Sequence, residues 1–297
     1  MAGSNVLQIE PLTPAIGAVL RGVNLAERAS DGMIDDIRQA LLRHQVIFFE
    51  DQDLTPTQQR DFAARFGDLH VHPLYDTDEG HPEIMVIDNH EGNPTDNNFW
   101  HTDVTFIETP PLGAILHARQ LPPVGGDTMW SSMTAAYKAL SRPMQRFLEG
   151  LEAVHDFAYA FTPQGLAGSQ AGAEKYAKAV ADNPPVIHPV VRTHPETGEP
   201  GIFVNSVFTS RIKGLRREES RALMDFLNRH VQQPEFVVRW RWTPGAVAFW
   251  DNRCTQHRAI DDFLPHRRVM TRATILGDRP IFTPAHPRES GDPGVLS

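Results

Sequence analysis

The chain has 297 residues, of which 40% are hydrophobic, and carries a formal net charge of −9 at pH 7. A chain of this size can bury a full core, and its composition suits one large domain as well as two. The acidic balance, without a Lys/Arg block, argues against a nucleic-acid-binding protein. No apolar run approaches the roughly 18 residues of a membrane span, and the N-terminus lacks signal-peptide features. The single cysteine, Cys254, fits a reducing compartment, so we expect a cytoplasmic protein.

Helical and strand-like segments both occur along the chain, which predicts a mixed α and β fold. A first helix is expected to begin at Ser30, because apolar residues follow it at helical spacing. The run 45–49 is typical of a buried strand. A second helix has a complete start signal, with Thr55 as the cap, Pro56 in the first position and Gln58 three residues after the cap.

The same patterns predict the later elements. Strands are expected at 84–87, 113–119, 236–242, 246–250 and 268–276, and helices at 132–140, 142–148 and 218–231. A hairpin is expected between 186–193 and 201–204. The segment 161–185 is rich in Gly, Ala, Ser and Gln, which favours a lid-like insertion over the site, with a disordered surface loop as the alternative. The Pro- and charge-rich tail, 283–297, is expected to fray.

Two side chains that can bind a metal, His101 and Asp103, stand two positions apart. Residues two apart in an extended segment point to the same side, so these two could hold one ion together. His257, far downstream, would complete two histidines and one carboxylate, the ligand set of non-haem Fe(II) oxygenases. An H-x-D triplet is common, however, and 14 histidines offer many partners, so this spacing alone leaves a non-metal role open.

Two arginines after His257 add a second feature to this pattern. Period-2 alternation in the strand-like run 268–276 places Arg268 and Arg272 on one face. An unpaired buried guanidinium is costly, so these residues either face solvent or meet anions in a cavity. A guanidinium is a rigid two-pronged donor, which suits a cosubstrate with a carboxylate tail.

Nine stretches spread nearly end to end are the most specific feature of the chain: LLRHQVIFF, FAARFGDLHVHPLY, WHTDVTFIETPP, GGDTMW, HPVVRTHP, FVN, PEFVVRWRW, FWDNRCTQH and RATILGD. In this order they make the sequence similar to the taurine dioxygenase family of Fe(II)- and 2-oxoglutarate-dependent oxygenases. The resemblance implies an α+β fold with a double-stranded β-helix (jelly-roll) core, flanking helices and the lid-like insertion, in one domain over 1–297. It also implies Fe(II), 2-oxoglutarate as cosubstrate, and O₂.

The resemblance assigns roles to individual positions of this sequence. His101, Asp103 and His257 would be the metal ligands and the catalytic centre, and Thr128 and Arg268 would bind the distal carboxylate of 2-oxoglutarate. The positions expected to bind the substrate are His72, Tyr75, Asn97, Val104, Phe161, Phe208 and Arg272. Within that set, His72 and Arg272 would bind a sulfonate, and Tyr75 and Asn97 would bind an amine.

These roles imply hydroxylation of taurine at the carbon that bears the sulfonate, with release of sulfite and aminoacetaldehyde and formation of succinate and CO₂. The resemblance further suggests a sulfur-scavenging oxidoreductase that forms a dimer or tetramer, with a small-molecule substrate. Another sulfonate, an alkyl sulfate or an aryloxy acid stays open as the substrate. So does a non-catalytic sensor that binds metal and 2-oxoglutarate. The sequence departs from the family pattern at Ser206-Val207, which leaves the loop shape near the substrate open, and at Arg258, which leaves an outer contact beside the metal ligand open.

Overall fold

The computed structural model of the chain describes residues 7–71, 76–95, 97–161 and 170–284. Its helices are α1 (Asp31–His44), α2 (Pro56–Ala63), α3 (Met133–Ala139), α4 (Arg142–Leu148), α5 (Phe157–Ala160), α6 (Gln170–Asp182) and α7 (Arg217–His230), with a 3₁₀ turn at Pro234–Phe236. The capping signals in the sequence set the starts of the first two. Ser30 accepts a hydrogen bond from the Met33 N–H, and Thr55 forms the expected capping box with Gln58.

The strands are β1 (Gln8–Pro11), β2 (Ala18–Arg21), β3 (Val46–Phe49), β4 (Leu69–His70), β5 (Thr77–Asp78), β6 (His81–Asn89), β7 (Gly113–Gln120), β8 (Thr128–Ser132), β9 (Glu152–His155), β10 (Val186–Pro189), β11 (Val191–Thr193), β12 (Pro200–Ile202), β13 (Thr209–Ile212), β14 (Val237–Trp240), β15 (Val247–Asp251), β16 (Thr255–Ala259) and β17 (Arg268–Ile275). A large sheet has the order β1-β2-β3-β15-β7-β17-β6-β5, with β4 paired to β17. A small sheet has the order β14-β8-β16.

The large and small sheets share one apolar layer. From β15, Trp250 points into this layer, which also contains Trp130 and Trp240 from the small sheet. The alternate residues of β15, Val247 and Phe249, point to the other side and pack with α1 and α2. The period of two along β15 therefore separates an inter-sheet core from a sheet–helix core. This arrangement confirms the predicted jelly-roll core with flanking helices.

The hairpin expected between 186–193 and 201–204 is only partly correct. β11 pairs with β12 as expected, but β10 pairs with β9. The chain changes partner at Val190, whose N–H donates to the Leu151 carbonyl and whose carbonyl accepts from the Phe203 N–H. An apolar, β-prone run does not specify which neighbour it pairs with, because pairing depends on tertiary contacts.

The expected insertion, 161–185, is described in part. Residues 162–169 lie outside the described part of the chain, and α6 occupies most of the rest. Tyr176, Ala179 and Val180 of α6 pack in an apolar cluster that includes Val104. The helix therefore covers the segment that carries the first two candidate metal ligands, while movement as a lid stays a prediction.

Two further expectations concern the tail and the membrane. Of the tail, residues 285–297 also lie outside the described part of the chain. None of the helices in the described ranges combines the length and apolar character that crossing a bilayer requires.

Candidate active site

The segment around His101 is attached to β16 by direct backbone pairing. The His101 N–H donates to the His257 carbonyl at 3.0 Å, and the His257 N–H donates to the His101 carbonyl at 2.8 Å. Directly opposed residues of an antiparallel bridge carry their side chains on the same face. The two imidazole rings consequently lie side by side, with centroids 4.2 Å apart.

The three predicted metal ligands converge. Asp103 Oδ1 lies 3.6 Å from His101 Nε2 and 3.8 Å from His257 Nε2. The ligand atoms of all three residues lie within 4.8 Å of one another, and all three side chains are buried. The local backbone differs from the extended segment that the sequence suggested, because Asp103 opens a turn in which Val104 has a φ of +52°. The carboxylate nevertheless faces the same point as the two imidazoles.

The protonation states of this site suit a metal ion. His101 Nδ1 lies 2.8 Å from the Phe99 carbonyl, so Nδ1 carries the proton and Nε2 presents its lone pair. Burial lowers the pKa of His257 well below its ordinary value, although the charge of Asp103 opposes this. Burial disfavours ionisation of Asp103, but Arg272 and the two imidazoles hold the pKa of that carboxyl well below its usual range. An ionised carboxylate and unprotonated imidazole nitrogens are what a divalent cation requires.

The donor set fits Fe(II). Two imidazole nitrogens and one carboxylate oxygen facing a common point form the facial triad of non-haem iron sites, which leaves the opposite positions open. Trp250 lies against the ring of His257, with centroids 4.8 Å apart, and Trp130 stacks at 6.4 Å. These indoles restrict the imidazole to an orientation that faces Asp103.

Arg272 joins the same site from β17. Its Nη2 lies 2.6 Å from Asp103 Oδ2, and its guanidinium sits over the Trp250 ring at 5.3 Å. The carboxylate thus presents one oxygen to the histidines and the other to the arginine. The Arg272 Nε is buried and has no hydrogen-bond partner among the described residues. One donor of this guanidinium is therefore left for an anion.

Arg268 lines a cavity together with His257 and Arg272. It is 4% exposed, its Nε donates to the Gly126 carbonyl at 3.1 Å, and its Nη2 donates to Thr128 Oγ1 at 3.4 Å. Burial lowers the pKa of Arg268 to about 10, so the group is still cationic at neutral pH. It forms no ion pair within the part of the chain that the structure describes. A buried cation without a carboxylate calls for an anionic ligand.

Two residues beside Arg268 were not singled out from the sequence. Trp242 Nε1 donates to Thr128 Oγ1 at 3.0 Å, although the ring also belongs to the inter-sheet core. Gly126 has a φ of +72°, and a Cβ there would lie 3.1 Å from the Arg268 Cδ. The positive φ and this close approach of the arginine together require a glycine at position 126. Neither contact has a local sequence signal.

The remaining predicted substrate residues fall into three groups. Asn97 lines the cavity that also contains Thr128, Arg268 and Arg272. The apolar positions Val104, Phe161 and Phe208 lie in or against the cluster covered by α6. His72 and Tyr75 lie outside the described part of the chain, so their roles stay predictions.

A second group of metal-capable side chains, His194, Asp251 and Cys254, has a different explanation. Asp251 pairs with Arg253 at 2.7 Å and with His194 Nε2 at 3.0 Å. His194 Nδ1 accepts hydrogen bonds from the N–H groups of residues 196 and 197, so its Nε2–H donates to Asp251 Oδ2. His194 therefore has no free lone pair for a metal ion, and these residues belong to an ion-pair network.

The jelly-roll core, the facial arrangement of His101, Asp103 and His257, and the buried Arg268 together define a class, the non-haem Fe(II)- and 2-oxoglutarate-dependent oxygenases. Residues 8–274 match the family described as "Taurine catabolism dioxygenase TauD, TfdA family", and the chain belongs to that family. It is a 2-oxoglutarate-dependent dioxygenase, an oxidoreductase whose cofactors are Fe(II), 2-oxoglutarate and O₂.

Similar proteins have related descriptions. An "Alpha-ketoglutarate-dependent sulfate ester dioxygenase" of Pseudomonas putida is 37% identical over 277 residues, covering 93% of this chain and 91% of the relative. An "Alkylsulfatase" of Acinetobacter baylyi is 37% identical over 284 residues, covering 94% and 87%. The solved structure of a "Taurine Dioxygenase from Burkholderia xenovorans" matches with a TM-score of 0.79 and 39% identity, covering 93% of each chain.

Proposed function

We propose that this enzyme oxidises the carbon that carries an anionic sulfur group, either a sulfate ester or a sulfonate. One observation carries the oxygenase chemistry of this proposal: the ligand atoms of His101, Asp103 and His257 lie within 4.8 Å of one another in a buried site. These three side chains would hold Fe(II) on one side. The open side would take 2-oxoglutarate through its C1 carboxylate and keto oxygen, with room for O₂. The bound metal supplies the oxidising chemistry, which couples decarboxylation of 2-oxoglutarate to succinate and CO₂ with oxidation of a substrate C–H bond.

Arg268 and Thr128 would bind the distal carboxylate of 2-oxoglutarate. The buried guanidinium lacks an acidic partner in the described ranges, and a carboxylate would supply the missing charge. The Thr128 oxygen already accepts from Trp242 and Arg268, so its own proton is free to be donated to that carboxylate. The two residues together satisfy both the charge and the lone pairs of a buried anion.

Arg272 would anchor the sulfate or sulfonate beside the metal. Its Nη2 is committed to Asp103, while Nε has no partner among the described residues. A planar guanidinium can hold two anions on different edges, so it can keep the ligand carboxylate and receive a substrate oxygen. His72 is proposed as the second donor to the same group. This double role fixes the distance between the anionic group and the metal.

The apolar cluster beside the site favours a substrate with a carbon chain. Val104, Phe106 and Phe208 are buried there, with Phe161 against them, and Phe106 and Phe208 are 5.1 Å apart between ring centroids. Such a wall gains from burying methylene groups, at about 0.8 kcal/mol for each. An alkyl sulfate or a longer alkyl sulfonate is therefore the first candidate. Oxidation at the carbon that bears a sulfate would release an aldehyde and sulfate.

Taurine is the second candidate. Asn97 lines the cavity, and an asparagine oxygen there can accept a hydrogen bond from an ammonium group. The proposed contribution of Tyr75 points the same way. Taurine would give sulfite and aminoacetaldehyde, so the inorganic product separates the two candidates.

The test combines anaerobic loading with a substrate panel. The protein is given Fe(II) and 2-oxoglutarate without oxygen, and then an oxygen pulse with taurine, alkyl sulfonates or alkyl sulfates of increasing length. We expect succinate from all productive compounds, and tighter binding as the chain lengthens to fill the apolar cluster. Sulfite from taurine with no turnover of alkyl sulfates would reverse the order of candidates. Absence of succinate with every compound would refute the proposal.

A variant tests the role of Arg272 in binding the sulfur compound. Arg272→Ala should lose productive binding of the sulfur compound, while slow, uncoupled consumption of 2-oxoglutarate persists because Arg268 and Thr128 are intact. The ratio of succinate formed to substrate oxidised measures this uncoupling. A near-normal KM for the sulfur compound in this variant would show that the anion is held elsewhere.

A further inference from the structure

Asn252 contacts the backbone of Asp103 from the turn between β15 and β16. Its Oδ1 accepts from the Asp103 N–H at 2.9 Å, and its Nδ2 donates to the Asp103 carbonyl at 3.1 Å and to the Pro111 carbonyl at 3.2 Å. The side chain is 1% exposed. The Asn252 amide thus forms hydrogen bonds with both the N–H and the carbonyl of Asp103, a candidate metal ligand.

The orientation of this amide is fixed by its partners. One atom faces an N–H and the other faces two carbonyls, so a reversed amide would set donor against donor and acceptor against acceptors. Aspartate would keep the acceptor and lose both donors, and an apolar residue would lose everything. Only an asparagine at position 252 satisfies all three backbone groups at this length of side chain.

The Asn252 side chain, called the clamp here, contacts Asp103 at the point where regular strand pairing stops. His101 is paired with His257, and Thr102 Oγ1 donates to the Thr255 carbonyl at 2.9 Å. At Asp103 the chain turns away from β16, and the next residue, Val104, has a φ of +52°. A left-handed conformation is unfavourable for a β-branched residue, so the turn needs support from its surroundings. The Asn252 side chain supplies the hydrogen bonds that a neighbouring strand would otherwise supply.

The turn that carries Asn252 is itself anchored. The Asn252 N–H donates to the Leu112 carbonyl at 2.8 Å, and the preceding Asp251 is buried and paired with Arg253 at 2.7 and 2.9 Å. Burial opposes the charge of Asp251, but Arg253 holds the pKa of this carboxyl far below its ordinary value. The turn that carries Asn252 is therefore held in place, so its side chain can hold the Asp103 backbone in one position.

We propose that Asn252 is a positioning residue that sets Asp103 for metal binding before the metal arrives. The inference rests on the proposed role of Asp103 as a metal ligand. The same short turn leads into His257, so one rigid segment fixes two of the three ligands relative to each other. Without the clamp, metal binding must itself order the Asp103 turn, and the affinity falls by that cost.

Metal affinity tests the proposal directly. Co(II) is titrated into the full-length protein under anaerobic conditions, with its visible absorption as the signal of coordination number and ligand set. Removing a group that orients a metal ligand typically costs about 10- to 100-fold in affinity, and we expect that loss for Asn252→Ala and Asn252→Asp. Asn252→Ser has a single hydroxyl on a shorter side chain that does not reach all three backbone groups, so it should also weaken Co(II) binding.

Gln145→Ala provides a matched control. Gln145 is a buried amide in α4 that donates to the carbonyls of Tyr137 and Lys138, so its loss also leaves backbone groups unpaired, away from the site. It should lower the melting temperature without changing the Co(II) affinity or spectrum. If Asn252→Ala fails to fold, Asn252→Ser carries the comparison.

Each outcome has one meaning. Folded Asn252 variants that bind Co(II) as tightly as the unaltered protein, with the same spectrum, would overturn the positioning role. Unaltered protein that fails to bind Co(II) would instead refute the proposed metal site. Weakened binding in the Asn252 variants, with normal binding in the Gln145 variant, supports the inference.

Discussion

At the scale of single residues, the site depends on how each polar atom is directed. Thr128 is the clearest case, because its oxygen accepts from Trp242 at 3.0 Å and from Arg268 at 3.4 Å. A hydroxyl whose lone pairs are both occupied has only its proton left to offer. The indole N–H therefore determines the direction in which the hydroxyl donates, although the ring is part of the inter-sheet core.

This geometry predicts that Trp242→Phe weakens binding of 2-oxoglutarate. Loss of one orienting hydrogen bond is worth about 1 kcal/mol, which corresponds to roughly fivefold in the dissociation constant. Equilibrium titration with 2-oxoglutarate in the presence of a divalent metal measures the change.

Trp240→Phe is the control for that substitution. Trp240 stacks on Phe48 at 4.2 Å, and its Nε1 has no hydrogen-bond partner among the described residues. It should retain normal affinity for 2-oxoglutarate. Equal weakening in both variants would indicate loss of packing and contradict the orienting role of Trp242.

At the scale of elements, Gln59 joins α2 to the two strands behind the site. Its Nε2 donates to the carbonyls of Ile115 on β7 and Thr271 on β17, both at 3.0 Å, and its Oε1 accepts from the Thr271 hydroxyl at 2.7 Å. The side chain is 1% exposed. Thr271 directly precedes Arg272, so the helix helps to hold the strand from which the arginine projects.

We predict that Gln59→Leu lowers the free energy of unfolding by about 1–3 kcal/mol, because buried polar groups lose their partner. Urea denaturation measures the change. Gln232→Ala, at an exposed glutamine that follows α7, should change the free energy by no more than about 0.5 kcal/mol. A Gln59→Leu protein as stable as the unaltered one would show that the three contacts contribute nothing net.

The elements also show what sequence can and cannot provide. The starts of α1 and α2 were predictable because Ser30, Thr55 and Gln58 act on backbone within three residues. The convergence of His101, Asp103 and His257 was predictable from residue type together with the family pattern. Asn252 and Trp242 were not, since they act on residues 149 and 114 positions away through contacts that only the folded sheets create.

The predicted hairpin between 186–193 and 201–204 was wrong for β10 for a related reason. The local sequence does not specify the pairing partner, and at Val190 the backbone hydrogen bonds go to Leu151 on one side and Phe203 on the other. Elements fixed by local chemistry were thus predicted well, and pairings fixed at a distance were not.

At the scale of the whole molecule, buried neutral histidines link stability to pH. Burial lowers the pKa of both His117 and His188 to about 4; Arg119 adds to the effect at the first, and Arg192 and Arg279 at the second. Backbone carbonyl hydrogen bonds partly oppose the shift at each. In the unfolded chain these groups titrate near about 6.5. Below that pH the unfolded state binds protons that the folded state does not, so folding becomes less favourable.

We therefore predict that stability is constant above about pH 6.5 and falls as the pH drops towards about 4, by roughly 1.4 kcal/mol per pH unit for each such histidine. Urea denaturation between pH 5 and 7.5 tests this. His188→Gln keeps a donor for the Thr105 and Ile107 carbonyls but does not titrate, so its slope should be shallower. Identical slopes for the two proteins would contradict the assignment.

Residues from both sheets and from the segment between them come together at one site between the sheets. The small sheet supplies Thr128 and His257, the large sheet supplies Arg268 and Arg272, and the chain segment between them supplies His101 and Asp103. No element could hold the metal and the cosubstrate by itself. Closure of the two sheets is what brings a cation site and a buried arginine into the same cavity.

The most direct test is an anaerobic titration of Fe(II) into the protein with 2-oxoglutarate present. A 2-oxo acid chelated to Fe(II) gives a visible charge-transfer absorption, which reports both ligands at once. We predict saturation at one equivalent of iron, loss of the absorption in Asp103→Ala and His257→Ala, and a higher 2-oxoglutarate requirement in Arg268→Ala. Absence of the absorption in the unaltered protein, or its persistence when Asp103 and His257 are replaced, would contradict the account.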